Sequence, residues 1–156
     1  MLGICRADKE KVHSENIGRL FAYEAKRVFM DRLVGSDREL VDRWIKDIGK
    51  RWGKNVKDVY WTDILTSGAS SLSHSYEEVA DIEKVNIAAS AALTNYNMIS
   101  NKPMDLVLFN FALEHLLIIL RIIKQPKGNA LLVGVGGSGR QSMTRLACYI
   151  CDFEPC

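Results

Sequence analysis

Asn129 to Ser142 reads NALLVGVGGSGRQS. A short apolar run followed by closely spaced glycines is how a phosphate-binding turn begins. The run supplies a strand, the glycines let backbone amides approach an anion, and the next helix presents its partly positive N-terminus. Two motifs overlap here. Gly134, Gly136 and Gly139 fit GxGxxG, the dinucleotide fingerprint, while Gly134 to Gly139 followed by Arg140 fits the first six positions of GxxxxGK[ST], with arginine at the lysine position. Both predict the same local geometry and hence anion binding; they differ in the ligand.

The dinucleotide reading needs a second strand ending in an acidic residue about 20 residues further on. Glu154 stands near that distance, but CYICDFE, Cys148 to Glu154, leaves almost no room for a strand after the helix. The P-loop reading therefore ranks first, with a departure of its own. In such loops the lysine reaches the outer phosphates and the following hydroxyl binds Mg²⁺. Arg140 keeps the positive charge but is bulkier and favours a forked contact. Gln141 replaces the hydroxyl residue, and Ser142, one position on, is turned about 100° around the helix. The expectation is a loop of Gly134, Val135, Gly136, Gly137, Ser138, Gly139, Arg140, Gln141 and Ser142 that holds a nucleotide, with Mg²⁺-assisted hydrolysis impaired. A lone GxGxxG is as readily a tight packing turn; the six matched positions, the apolar run before and the helix after favour the phosphate.

Upstream the pattern is helical. Ile17, Leu20, Phe21, Ala25, Val28, Phe29 and Leu33 recur at helical spacing from Ser14 to about Val34, where Gly35 stops them. Ser36-Asp-Arg-Glu39 has the capping-box form and opens a second helix with Leu40, Val41, Trp44, Ile45 and Ile48 as its apolar stripe. VYWTDIL, Val59 to Leu65, is a short apolar piece, and the Ser- and Gly-rich Thr66 to Ser75 is the linker candidate. Ser75-Tyr-Glu-Glu78 repeats the capping box before Val79, Ile82, Asn86, Ala89, Leu93 and Tyr96, a packed helix too short to argue for a coiled coil. Asn101-Lys-Pro103 ends it. Leu106, Phe109, Leu113, Leu116, Leu117, Leu120 and Ile123 mark a strongly apolar helix that Gln125-Pro126-Lys-Gly128 closes. Ala130 to Val133 then reads as the start of a buried strand, and about Arg140 to Ile150 as the last helix.

Composition bounds the partners. The 156 residues are 47% hydrophobic and 26% charged, enough for one ordinary core. With 21 Lys and Arg against 19 Asp and Glu there is no long-range field to favour nucleic acid or a membrane. Charge follows within the first residues of MLGICRADKE, which is no signal peptide, and Leu106 to Ile123 is interrupted by Asn110, Glu114, His115 and Arg121. The reading is intracellular and soluble. Cys148 and Cys151, with Cys156, have metal-like spacing, but on a helix residues three apart merely share a face, and core packing is the simpler account. His115 reads as a satisfied, partly buried histidine. Trp44, Trp52 and Trp61 among lysines and arginines read as core aromatics beside a solvated face, because Asp42, Asp47, Asp58 and Asp63 dilute the charge.

Gly128 to Cys151, GNALLVGVGGSGRQSMTRLACYIC, closely resembles the nucleotide loop of the fourth AAA+ module in axonemal dynein heavy chains, where GVGGSG is followed by Arg or Lys and then Gln-Ser. The Arg140-Gln141 departure is thus a trait of that family. Pro103 to Phe109, with Ala112-Leu-Glu-His115 and Arg121-Ile-Ile123, resembles the segment leading into this loop. Tyr23 to Val34 resembles a lid helix of the preceding module.

The resemblance implies a truncated α/β P-loop fold of the AAA+ type, mostly α-helical here, with one strand, P-loop and helix at the C-terminus. Residues 1–65 would be a lid-like segment of one module, 66–75 a linker, 76–125 a helical connection and 126–156 the start of the next module. It further implies ATP or ADP with Mg²⁺ as ligands. In the parent motor the partners would be the other AAA+ modules, dynein intermediate and light chains, and microtubules, in the cytoplasmic cytoskeleton of a ciliary or flagellar axoneme. No apolar run ending in Asp-Glu occurs in the sequence, so the acidic Walker B strand is missing. The chain is expected to bind ATP without acting as an ATPase or motor by itself. Two alternatives stay open: a helical interaction module whose loop binds nothing, and a dinucleotide-binding oxidoreductase.

Overall fold

The computed structural model describes residues 7, 12–13, 16–51, 59–66 and 75–153. The chain divides into two compact units, Met1–Asp63 with Ser75–Asp81 and Ile64–His74 with Ile82–Cys156.

In the first unit, α1 (Ile17–Ala25) runs into a π-helical turn, Lys26–Met30, and α2 spans Gly35–Gly49. Leu20 and Tyr23 of α1 form a core with Ala7, Trp61 and Tyr76. Ala22 and Ala25, from the same helix, join Met30 and Ile45 in a second cluster. The stripe expected of α2 is narrower than its sequence suggests: Ile45 is buried, while Trp44, Leu40 and Ile48 are exposed. The capping box at Ser36 is not used. The helix begins at Gly35, with Val34 extended at its N-cap and no side-chain cap, so Ser36 already lies inside the first turn. Asp42 is held between Lys26 Nζ at 3.0 Å and Lys46 Nζ at 2.6 Å.

β1 (Tyr60–Thr62) pairs antiparallel with β2 (Glu77–Val79), Trp61 opposite Glu78. The second capping box, at Ser75, is therefore also overridden, and its helix starts only at Ile82. The magnitudes explain this. A cap is worth about 1 kcal/mol, whereas burying a large aromatic contributes about 1.5–3 kcal/mol. Tyr76 is buried with its ring 6.1 Å from that of Trp61. Its hydroxyl donates to Glu24 Oε1 at 2.8 Å, giving the fully buried carboxylate a partner. Arg19 Nε donates to both carboxylate oxygens of Glu78 at 3.0 Å and ties α1 to β2.

The second unit contains a 3₁₀ turn, Ile64–Thr66, then α3 (Ile82–Ile99), α4 (Asn110–Ile123) and α5 (Arg140–Ile150). The helix α4 packs on both others, and α3 and α5 touch each other. Its buried residues, Ala112, Leu113, Leu116, Leu117, Ile119 and Leu120, form one broad apolar face of about 160° at 100° per residue. Leu146 and Ala147 of α5 and Val85 and Ala89 of α3 complete this core. The sequence placed the start of α4 at Leu106; in the structure the helix starts only at Asn110, after an extended Phe109. The turn after α4 needs glycine, because a Cβ at Gly128 would collide with the Ile122 carbonyl oxygen.

The largest correction concerns Ala130 to Val133. The expected buried strand is absent, and Leu131 and Val133 are 91% and 84% exposed. A ladder needs a neighbour for its N–H and C=O groups, and among the described residues the sheet consists of β1 and β2 alone. The mostly helical character is as read from sequence.

No helix among the described residues is long and apolar enough to cross a membrane. No cluster of His, Cys, Asp or Glu among them suits a metal. Cys148 on α5 and Cys151 at its C-cap are half-buried. His115 is exposed rather than partly buried, with Nδ1 2.8 Å from the Phe111 carbonyl oxygen. Trp61 is a core aromatic, Trp44 is not, and Trp52 lies outside the described residues, as does most of the candidate linker.

Candidate nucleotide-binding loop

Helix α5 begins immediately after the glycine run, at the boundary the sequence marks. Its N-cap is Gly139, left-handed at φ 72°, and Gly137 is left-handed at φ 76°. An L-residue is penalised by roughly 1–2 kcal/mol in that conformation, so glycine at these two positions is what lets the chain reverse into the helix. A Cβ on Gly136 or Gly137 would meet nothing within 4 Å, while one on Gly139 would touch Leu106 Cδ1 at 3.5 Å. Leu106 thus backs the last glycine, and Gly136 and Gly137 border open space.

The helix N-terminus carries amides without an intrahelical partner. Met143 N–H closes the first helical bond onto the Gly139 carbonyl at 2.8 Å, and no side chain caps α5. α2 and α4 are uncapped as well, so the missing cap alone does not single out α5. The preceding glycine loop with its two left-handed residues does.

Arg140 lies at the first position of the helix, half-buried, and folds back over the loop. Nη1 donates to the Leu132 carbonyl at 3.3 Å and Nη2 to the Val135 carbonyl at 2.9 Å. The guanidinium fork has five N–H donors; here it ties the chain entering the loop to the helix leaving it. A Cβ on Gly134 would sit 3.4 Å from Ser138 Oγ and 3.5 Å from Arg140 Cδ, so the loop closes on Ser138 and the arginine stem. Gln141 is exposed and Ser142 half-buried. Thr144 Oγ1 donates to the Arg140 carbonyl at 2.8 Å, which commits that hydroxyl to its own helix.

The nine residues from Gly134 to Ser142 form one loop and helix start. The sequence did not reveal that Leu132 and Val135 accept from Arg140 through their carbonyls, because every residue type carries that group. Leu106, assigned from sequence to the face of α4, instead supports Gly139. The arrangement fits a phosphate: amides at a helix start, a permissive glycine turn and a cation. It fits Mg²⁺ less well, since Gln141 stands where a coordinating hydroxyl is needed.

A family model described as the P-loop containing dynein motor region D4 matches residues 104–156. This stretch contains Leu106, the loop and α5. Human dynein axonemal heavy chain 6 is 37% identical over 97% of this chain and 4% of its own length. Mouse dynein axonemal heavy chain 2 is 38% identical with the same coverage. The dynein beta chain of the flagellar outer arm from Chlamydomonas reinhardtii is 36% identical, again over 97% of this chain and 4% of its own. The chain thus spans about 4% of the length of these relatives, and it belongs to the axonemal dynein heavy-chain family.

Proposed function

We propose that Gly134–Gly139 and the start of α5 bind the phosphates of an adenine nucleotide, as one nucleotide site within an axonemal dynein heavy chain. The observation that carries this reading is the paired left-handed glycines, Gly137 and Gly139, which turn the loop directly onto the N-terminus of α5. Support comes from the match to a dynein motor region described as containing a P-loop. Backbone amides of the loop and of the first turn of α5 would hold the phosphate oxygens, and Arg140 would supply the opposing charge. The sequence provides no Asp-Glu pair at the end of an apolar run and no hydroxyl at Gln141, so hydrolysis is not assigned to these residues. In the longer relatives the site would serve a microtubule motor of the axoneme, with neighbouring ring modules, accessory chains and microtubules as partners.

A second reading is favoured by the exposure of Leu131, Val133 and Val135: without a sheet beneath it, the loop binds nothing and the helices serve as an interaction module. The dinucleotide alternative finds no support in the family matches. Calorimetric titration with ATP, ADP and NAD, each with and without Mg²⁺, separates the three. The proposal expects saturable binding of ADP and ATP that gains little from Mg²⁺, and none of NAD. Silence for every ligand, with helical circular dichroism intact, would establish the second reading.

A further inference from the structure

Asn97 lies in the last turn of α3, half-buried, and spends both ends of its side-chain amide on a single residue. Nδ2 donates to the Met104 carbonyl at 2.9 Å, and Met104 N–H donates to Oδ1 at 2.8 Å. A neighbouring strand residue would supply the same pair of bonds, so this side chain stands in for a missing strand. Met104 is only 7% exposed, and water is a poor substitute for either bond.

From Met104 the chain runs with period two. Met104 is buried, Leu106 and Leu108 are half-buried, and Asp105, Val107 and Phe109 are exposed. Leu106 is the first inward residue after the clamp, and its Cδ1 lies 3.5 Å from the Cβ position of Gly139. Tyr96, beside Asn97, meets Tyr149 of α5 edge-on, with centroids 5.5 Å apart at 75°. The end of α3 therefore holds both the segment that backs the loop and the helix that leaves it.

We infer that Asn97 is a positioning residue for the phosphate loop: by fixing Met104 in extended form it seats Leu106 against Gly139 and so steadies the glycine from which α5 starts. The role in nucleotide binding rests on the proposed function above. The contact chain Asn97, Met104, Leu106, Gly139 does not.

The Met143 amide is a built-in reporter, since its bond to the Gly139 carbonyl opens when Gly139 is released. NMR-detected hydrogen exchange on the whole chain, with and without ADP, tests the inference on Asn97→Ala, Asn97→Asp, Leu106→Ala and the Asn97→Ala/Leu106→Ala double variant. Asp retains the acceptor for Met104 N–H but sets a carboxylate against the Met104 carbonyl. We expect each single variant to speed Met143 exchange about fivefold or more while Leu116 and Leu117 in α4 are unchanged. The double variant should be no faster than the faster single one, and ADP affinity should fall several-fold. Faster exchange at Met104 alone, or a uniform rise that includes α4, would overturn the inference; Leu106→Ala decides if Asn97→Ala does not fold. If the parent chain binds no ADP, the phosphate reading fails, while the Met143 comparison still decides whether Asn97 positions the loop.

Discussion

Replacing Gly139 by alanine perturbs the loop without crowding it. The position is left-handed at φ 72°, and the added Cβ would meet Leu106 Cδ1 at 3.5 Å, an ordinary contact. The penalty is therefore conformational, roughly 1–2 kcal/mol for an L-residue in that region. If the bound form requires the same turn, affinity falls by about 5- to 30-fold, at 1.4 kcal/mol per factor of ten. Gly137→Ala should match it, with φ 76° and open space around the Cβ. Gly136→Ala is the control: it is neither left-handed nor within 4 Å of another group, so the turn and the melting temperature should be untouched. Any loss of affinity there would come from the methyl group meeting the ligand itself. Titration with ADP, alongside circular dichroism melts, measures all three. Wild-type affinity in Gly137→Ala and Gly139→Ala would refute the reasoning, because the glycine turn would then be a packing device with no part in binding.

Three further outcomes test the two cores. Tyr76→Phe keeps the ring against Trp61 but removes the hydroxyl that donates to the buried Glu24 carboxylate, so urea denaturation should show a loss of about 1.5–3 kcal/mol. Leu116→Ala, at a fully buried site in α4, should cost about 2–5 kcal/mol in the same assay. Burial raises the pKa of Asp42, but the hydrogen bonds and charges of Lys46 and Lys26 outweigh it and leave the pKa below its ordinary value of 3.8. Its stabilising effect is thus present above that value and lost as pH falls through the lower folded-state pKa. Asp42→Asn should destabilise the protein at pH 7, and the difference from the parent should shrink as pH drops below about 4.

Glycine and proline punctuation was legible in the sequence, while cap motifs and contacts between distant residues were not. The start of α5 at Arg140 was legible because glycine punctuation and apolar spacing act within a few residues, and the end of α3 before Asn101-Lys-Pro103 for the same reason. Both capping boxes misled. Ser36 falls one residue inside its helix, and Ser75 precedes a strand because Tyr76 reaches a core built by Leu20, Tyr23 and Trp61, partners distant in sequence. Leu106 fits helical spacing with Leu113 and Leu117, yet its segment lies outside the helix and begins at Met104, whose backbone is bonded to the Asn97 side chain. Ala130 to Val133 has the composition of a buried strand, but composition cannot supply a neighbour. At the candidate site the residue types were visible and their arrangement was not: nothing in the sequence indicates that Arg140 bonds the carbonyls of Leu132 and Val135.

The central claim is that this loop takes up a phosphate, and backbone amide chemical-shift mapping during an ADP titration tests it most directly. The account predicts saturable shifts concentrated at residues 134 to 142, with the left-handed Gly137 and Gly139 among the largest. Shifts centred elsewhere, or none at ADP concentrations well above a millimolar dissociation constant, would contradict it.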